Sequence, residues 1–423
     1  MNKAYTQQLI SRLCTQPRSL NFICQNLNGV DPVTALDFLK DLEQQNLVRQ
    51  GQDGLWLVEE KAQKSVGDYL HFNQQVYVRK YMGDFDFFKK PHPLDFEWRN
   101  TKKSVDYLSD LVLQSNHLDD EILVLGMPTL FANLCRRDIS QKVTIVERNH
   151  AVVDCLKELS HDNCQVIVGD IFKSDPEMLG MYATVVMDPP WYEPHFYQFI
   201  WLASRCLKLG GRLIISIPPF NTRPGIDKER IAWFDFCQKQ GLCLESLSPK
   251  KLEYSMPFFE WNATRSAGAL TSPFWRHGDL AVFQKLNMHF VDRPEYEEEN
   301  VDWHEVEIKG CRIRIKINDA EVDETGYNLD LEPLVATQIL PSVSSRDPRR
   351  RRANVWTSGN RIFYTNCPRK LFTHIQYFKN NIPDQSEDGQ KIFEFIELIS
   401  SFEHEEYNQY LEWLYHEMER ETN

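Results

Sequence analysis

The apolar run Ala183-Thr184-Val185-Val186-Met187 stops abruptly at Asp188-Pro189-Pro190-Trp191-Tyr192. Two successive prolines cannot donate to a sheet ladder. The run is therefore predicted to be a buried strand that ends where its last side chain, Asp188, emerges at the carboxyl edge of a sheet. Open α/β sheets bind ligands outside that edge. The residue types suit a nitrogen acceptor. An amine conjugated to an aromatic ring is a weak nucleophile, because its lone pair is delocalised. Asp188 and the backbone carbonyl of Pro189 can accept hydrogen bonds from its N–H groups and localise that pair. The prolines stiffen the turn and remove donors that would repel an incoming N–H. Trp191 or Tyr192 offers a face on which a planar base stacks, worth roughly 1–3 kcal/mol in single-strand binders. The bland alternative for Asp-Pro-Pro is a rigid strand-to-helix turn.

Three more runs place this strand in a sheet. Glu121-Ile122-Leu123-Val124-Leu125 ends in Gly126, Lys142-Val143-Thr144-Ile145-Val146 ends in Glu147, and Gln165-Val166-Ile167-Val168-Gly169 ends in Asp170. Strands alternate with helix-like segments, as a doubly wound parallel sheet requires. A glycine after the first strand, with an acid about twenty positions on, matches the way Rossmann-like folds hold a nucleoside, the carboxylate taking the ribose hydroxyls. Asp170 then falls near the adenine amino group.

On these residues the chain, from Leu94 to Lys285, resembles class I S-adenosylmethionine-dependent methyltransferases. The segment Lys208-Leu209-Gly210-Gly211-Arg212-Leu213-Ile214-Ile215-Ser216 is similar to that family's next turn and strand, and Gly278-Asp279-Leu280-Ala281-Val282-Phe283 to its last, antiparallel one. The resemblance implies that S-adenosylmethionine lies against Leu125, Gly126, Met127, Pro128, Thr129, Glu147, Arg148, Asp170 and Ile171, with Glu147 on the ribose and Asp170 on the adenine. It implies that Asp188, Pro189, Pro190, Trp191 and Tyr192 hold the acceptor nitrogen. One departure stands out: the family's cofactor loop carries several glycines, whereas here Gly126 is followed by Met127-Pro128-Thr129-Leu130, and only glycine takes positive φ at little cost. This variant resembles the loop of an N6-adenine-like subgroup that modifies ribosomal RNA or a translation-factor lysine.

The domain order also resembles that of branched-chain polyamine synthases, aminopropyltransferases with an N-terminal winged helix, an extended segment and a core with an Asp-Pro-Pro loop. Their segment before the core looks like Leu94-Asp95-Phe96-Glu97-Trp98-Arg99-Asn100-Thr101. In them acidic residues after the first-strand glycine hold a cationic propylamine. Met127-Pro128-Thr129 supplies no carboxylate, which disfavours aminopropyl transfer.

At 423 residues the chain calls for two to three domains. The expected fold class is α/β. It comprises a winged-helix-like domain (1–65), a connecting segment with a pre-core helix (66–115), a Rossmann-like doubly wound catalytic core (116–288) and a mixed α+β C-terminal substrate or lid domain (289–423). In the first, Tyr5 to Cys14, Leu20 to Leu27 and Pro32 to Gln45 have helical spacing, and Leu47 to Gln50 and Leu55 to Val58 flank a Gly-Gln-Asp-Gly turn. The third helix carries Asp37, Lys40, Asp41 and Glu43, a poor set for facing phosphates, so homodimerisation through this domain is as good an expectation. In the last, Trp303 to Ile317 alternates around Lys309-Gly310, and Asp388 to Glu421 reads as one or two acidic amphipathic helices.

No apolar run is long enough to cross a bilayer, residues Met1 to Gln7 do not form a signal peptide, and the ten cysteines lack a Cys-x-x-Cys pair. A cytoplasmic enzyme without membrane, zinc site or disulfide framework is expected. The net charge of −13 opposes non-specific nucleic-acid binding, yet Arg349, Arg350, Arg351 and Arg352, beside Trp356 and Arg361, could form a phosphate and base-stacking surface. Three readings follow: N-methyl transfer to the exocyclic amine of adenine in nucleic acid, with protein lysine as a variant acceptor; aminopropyl transfer to a polyamine; and a non-catalytic winged-helix interaction protein. The first leads. It needs no metal, because a sulfonium is already a strong electrophile and positioning supplies most of the acceleration. His195 is a candidate proton relay, although such a histidine more commonly packs on or caps a helix.

Overall fold

A computed structural model describes residues 3–59, 87–114, 120–137, 139–296, 302–317, 328–344 and 347–420. The connecting stretch 66–86, the acidic Glu297-Glu298-Glu299 run, Ser345, Arg346 and Glu421 lie outside the described residues. The chain folds into two compact units, each built from separate segments. One comprises Met1–Lys89, Trp98–Met256 and Phe274–Tyr296; the other Lys90–Glu97, Pro257–Pro273 and Glu297–Asn423. A linear division of the sequence does not anticipate this interleaving.

The first unit opens with helices α1 (Lys3–Leu13), α2 (Leu20–Asn26) and α3 (Pro32–Gln44) and a two-stranded hairpin, β1 (Val48–Gln50) and β2 (Trp56–Val58). The ends of α2 and α3 are set by capping: Ser19 accepts from Phe22 N–H, and Asp31 accepts from Thr34 N–H with Pro32 in the first turn.

The remainder of this unit runs β3 (Arg99–Asn100), α4 (Lys102–Gln114), β4 (Glu121–Leu125), α5 (Pro128–Cys135), β5 (Lys142–Glu147), α6 (His150–Lys157), β6 (Cys164–Val168), α7 (Pro176–Leu179), β7 (Tyr182–Met187), α8 (Glu193–Cys206), β8 (Leu207–Ile217), α9 (Ile226–Lys239), β9 (Leu242–Ser255) and β10 (His277–Lys285). The strands form one sheet in the order β3-β9-β10-β8-β7-β4-β5-β6. From β8 to β6 all pairings are parallel; β10 is antiparallel to β8 and to β9, and β3 to β9. This is the Rossmann-like arrangement expected.

The parallel strands read as continuous apolar runs because both faces are covered. Leu123, Leu125, Val185 and Met187 pack with Phe196, Phe199 and Ile200 of α8. Their neighbours Ile122, Val124 and Val186 enter the opposite layer with Leu108 of α4 and Leu130, Phe131 and Leu134 of α5. Each such fully buried side chain stabilises the fold by roughly 1.5–3 kcal/mol.

The sequence pattern does not disclose β9, since Pro249, Lys250 and Lys251 interrupt it. The strand accommodates them in a bulge opposite Asp279, where Lys250 takes a positive φ of 52° and its N–H donates to Asp279 at 2.8 Å. The other Asp279 oxygen pairs with buried Arg230 at 2.7 Å, and Arg230 also donates to the Pro218 carbonyl at 2.6 Å, fastening the end of β8. Cys135 and Cys164 form a disulfide, correcting the expectation from cysteine spacing. The end of α5 returns beside the start of β6, bringing their Cα atoms to 6.0 Å across 29 residues of sequence.

The second unit contains α10 (Phe258–Ser266), β11 (Asp302–Ile308), β12 (Cys311–Ile317), β13 (Glu332–Pro333), β14 (Val355–Thr357), β15 (Ile362–Tyr364), α11 (Pro368–Lys379) and α12 (Glu387–Arg420). Its antiparallel sheet has the order β11-β12-β14-β15-β13. The turn between β11 and β12 uses Lys309 and Gly310, both at positive φ, as a two-residue hairpin prefers. Ile313, Ile315 and Val355 pack with Leu371 and Ile375 of α11 and Ile392, Ile396 and Ile399 of α12, so the terminal acidic segment is one long helix buried along a stripe. No helix among the described residues is long and apolar enough to cross a membrane.

Replacing Asp279 by Ala leaves the Arg230 guanidinium buried without its counter-charge. It is expected to lower unfolding stability by about 3–5 kcal/mol, measured by urea denaturation.

Candidate functional site

The chain leaves β4 toward β5 and β6 and returns to β7 on the other side of β4, which makes the ends of β4 and β7 the switch point of the sheet, the place outside which open α/β sheets bind ligands. Asp188 N–H donates to the Leu125 carbonyl at 3.2 Å, holding the two ends together. Gly126 takes φ 70°, and a Cβ added there would stand 3.1 Å from the Asp188 carbonyl oxygen and 3.4 Å from the Phe199 ring. A single glycine thus serves both the turn and the close approach of the loops.

The proposed cofactor loop presents backbone rather than side chains. Leu125, Met127, Pro128 and Thr129 are buried, with the Met127 side chain in the core beside Leu130 and Phe131. Met127 caps α5 without a side-chain hydrogen bond, so the first-turn N–H groups have no capping side chain, and the helix dipole makes this end suited to negative charge.

At the next strand end Glu147 accepts from Asn149 N–H at 2.8 Å, and Asn149 in turn caps α6. Gly169 N–H donates to the Glu147 carbonyl at 3.0 Å, bringing the ends of β5 and β6 together. Asp170 accepts from Phe172 N–H at 2.9 Å and faces Arg148 at 3.4 Å. Ile171 is buried. A strap from the end of the unit holds this loop: Arg293 donates to the carbonyls of Ile171 (2.8 Å) and Ser174 (3.2 Å), and to the Gln198 side chain at 3.0 Å. Tyr296 rests on Phe172, with ring centroids 4.5 Å apart.

Asp188 is surrounded from four directions. The hydroxyls of Tyr254 on β9 and Ser216 on β8 and the side chain of Trp191 hydrogen-bond with it, and the Arg276 guanidinium adds positive charge. Burial nevertheless dominates and pushes its carboxyl up to about 6. The Tyr254 and Ser216 hydroxyls lie 2.5 Å apart, and burial followed by the nearby Asp188 charge raises the Tyr254 phenol well above its usual range. A Cβ at Gly278 would stand 2.7 Å from Ser216 Oγ and 3.1 Å from the Tyr254 hydroxyl, so glycine there makes room for the pair. Nothing in strand periodicity marks Tyr254, Ser216, Arg276 or Gly278 as belonging to the site. Ser216 comes from β8, the neighbour of β7, and the other three from the antiparallel edge of the sheet, and they meet Asp188 only through pairing register.

One face of Trp191 is taken up within the chain. The Arg276 guanidinium lies 3.9 Å from its ring centroid and 4.1 Å from that of Trp98, and Tyr254 meets Trp191 edge-on at 5.9 Å. Burial, then the charge of Arg148, depresses the His195 imidazole to about 4, and its ring packs edge-on against Phe172 at 5.1 Å. Tyr192 precedes α8 and is partly exposed, 6.0 Å from the His195 ring.

The arginines of the basic run divide between internal partners and solvent. Pro348–Arg351 is a short 3-10 turn capped by Asp347, to which Arg349 donates at 2.9 Å. Arg350 donates to the Val343 carbonyl and lies 4.6 Å over the Trp356 ring. Trp356 is buried with its indole N–H on Asn360, and Arg361 is buried against Glu406. Arg351 and Arg352 remain exposed. A planar stacking surface needs open rings, and here the cation–π partners are internal.

No protein-family model matches the chain, and no curated protein matches it in sequence. In fold it is similar to the branched-chain polyamine synthase from Thermus thermophilus, in complex with N4-aminopropylspermidine and 5'-methylthioadenosine (12% identity, 69% of this chain and 91% of that one, TM-score 0.56). A C9 mutein of that synthase with the same two molecules gives 13% identity, 69% and 90% coverage and the same TM-score of 0.56. A TehB-like S-adenosylmethionine-dependent methyltransferase from Corynebacterium glutamicum matches 44% of this chain and 89% of its own at 16% identity, with TM-score 0.31. At these identities the similarity to the synthase is one of fold.

Gly126→Ala places a Cβ in the left-handed region and against the Asp188 carbonyl. A loss of about 1–2 kcal/mol or more is expected in denaturant unfolding, from the backbone conformation alone.

Proposed function

We propose that the chain transfers the methyl group of S-adenosylmethionine to an amine nitrogen presented at Asp188. The observation that carries this reading is the carboxyl of Asp188 at the end of β7, tied by its N–H to the end of β4 at the switch point of the sheet, whose other strand ends carry Gly126, Glu147 and Asp170. Glu147 and Asp170 would hold the ribose and adenine, and the uncapped start of α5 would receive the carboxylate of the methionine tail. The bound cofactor supplies an electrophilic methyl carbon on sulfur. Asp188 then has two tasks: to take the proton that a cationic amine must lose before it has a lone pair, and to accept a hydrogen bond from the neutral amine so that this pair faces the methyl carbon as the N–C bond forms and the C–S bond breaks, leaving the methylated ammonium and the neutral thioether. A carboxylate with this raised affinity for protons is a better base than an ordinary aspartate and is still mostly ionised at pH 7.

The acceptor in this reading is an aliphatic amine. With one face of Trp191 taken by Arg276 and with Trp356 buried, a stacked adenine has less support than a compact amine. The protein's net charge of −13 also favours a cationic acceptor over a polyanion. Aminopropyl transfer is the second reading. It is favoured by the fold match over 91% of the Thermus thermophilus synthase, and opposed by Met127-Pro128-Thr129, which offers a helix start where a propylammonium would need a carboxylate. Incubating the full chain with labelled S-adenosylmethionine and, separately, its decarboxylated form, against polyamines, cell protein, RNA and DNA, decides between them. Label from the decarboxylated form alone would overturn methyl transfer, and label in nucleic acid would restore the base acceptor.

Asp188→Asn should reduce turnover on the order of a hundredfold or more while leaving sulfonium affinity nearly intact, because the lost hydrogen bonds act on the acceptor. In the wild type the rate should hold at neutral pH and fall as pH drops through about 6, where Asp188 takes up its proton. Glu147→Ala should weaken S-adenosylhomocysteine binding in calorimetry by the equivalent of about 1–3 kcal/mol, the range for charge-assisted hydrogen bonds.

A further inference from the structure

We propose that Tyr254 and Ser216 are positioning residues for this transfer: their paired hydroxyls, seated by Gly278, fix the Asp188 carboxylate toward the acceptor. The inference rests on the reading that Asp188 receives the amine.

The two hydroxyls reach Asp188 from different strands and are themselves buried. Sheet register decides their meeting. Tyr254 N–H donates to the Arg276 carbonyl at 3.0 Å, and Gly278 pairs with Leu252 of β9 immediately before Leu280 pairs with Ser216 of β8. One register therefore delivers the phenol to Asp188, sets the Arg276 guanidinium over Trp191, and leaves a glycine where any Cβ would strike the Ser216 hydroxyl at 2.7 Å. A buried hydroxyl pair needing only partners could be satisfied by backbone carbonyls. Here the two hydroxyls share one hydrogen bond at 2.5 Å, so one gives its proton to the other and the pair offers a single O–H to the carboxyl, and the strand that passes them lacks a side chain where they meet.

The consequence is chemical. A carboxylate held by O–H donors keeps a fixed direction, so its remaining lone pairs can meet an incoming N–H without rotation. The donors also favour the charged form against the opposing effect of burial, Tyr254 most strongly and then Arg276, Ser216 and Trp191. These four groups are those that face Asp188 from β9, from the approach to β10, from β8 and from its own loop.

The test is a titration of the full-length protein labelled with 13C at the aspartate carboxyl carbons, the Asp188 resonance being the one absent from Asp188→Asn. In Tyr254→Phe the midpoint is expected to rise above the wild-type value by roughly one unit, the effect of losing one donor to a charged group, and in Ser216→Ala by a smaller amount. Calorimetry with S-adenosylhomocysteine should give the same affinity in both variants within about twofold, since neither hydroxyl is placed on the cofactor. Midpoints in both variants that stay within about 0.3 unit of the wild type would overturn the inference, even with a lowered melting temperature, because a hydroxyl that only stabilises packing leaves the carboxyl's titration in place. Ser216→Ala carries the test if Tyr254→Phe does not fold. Full transferase activity in Asp188→Asn would instead overturn the reading of Asp188, whatever the hydroxyls do to its titration.

Discussion

The junction of two parallel strand ends, where Asp188 N–H meets the Leu125 carbonyl, is the constraint on which the rest of the site depends. It requires the chain to turn away from β4 at once, which Gly126 permits at φ 70°, and to turn away from β7 without further pairing, which Pro189 and Pro190 enforce. Because a β-carbon at residue 126 would press on the Asp188 carbonyl, the loop after β4 and the loop after β7 cannot vary independently. A loop with several glycines would spread this freedom over more residues. Here it is concentrated in one, and the residues that follow begin a helix instead.

Around that junction the sheet divides its labour. The parallel strands bring carboxylates to their ends, where Glu147 and Asp170 are ordered by backbone N–H groups. Strands β8 and β9 bring hydroxyls, and the approach to β10 one guanidinium, to Asp188. The balance there is between burial, which favours the protonated acid, and four neighbours that favour the anion; burial prevails, but only to about 6. The carboxyl is thereby left responsive near neutral pH, while Tyr254, pushed upward by the same burial and by Asp188 itself, stays protonated as a donor.

Charge elsewhere is spent on structure. In the second unit Arg312 and Arg314 converge on Asp95 and Glu305, and burial notwithstanding, the two arginines hold the Asp95 carboxyl well below its usual range. Arg361 is taken by Glu406, and Arg350 by Trp356 and a carbonyl. A run of arginines in a net acidic protein can look like a nucleic-acid surface when only its density is counted. Buried partners take Arg361 and an internal ring takes Arg350, since a buried guanidinium left unpaired is costly, while Arg351 and Arg352 stay exposed.

The sequence by itself determined the parallel core and its ligand edge. Apolar runs closed by Gly126, Glu147, Asp170 and Asp188 carry their own stop signals, and strands covered on both faces cannot hide their composition. The helices and hairpin at residues 3–58, the turn at Lys309-Gly310 and the long terminal helix were legible for the same local reasons: caps, a paired-strand alternation and an amphipathic stripe. Only the tertiary structure decided what surrounds Asp188. Tyr254, Arg276 and Gly278 lie 66, 88 and 90 positions beyond it in a strand broken by Pro249 and in the segment that pairs with it. Their convergence depends on a bulge and an antiparallel register, which are properties of two strands together and leave no period in either. The fate of Trp191 was hidden likewise. An exposed stacking ring and a ring clamped by an arginine have the same sequence, and the partner that distinguishes them is supplied by another strand.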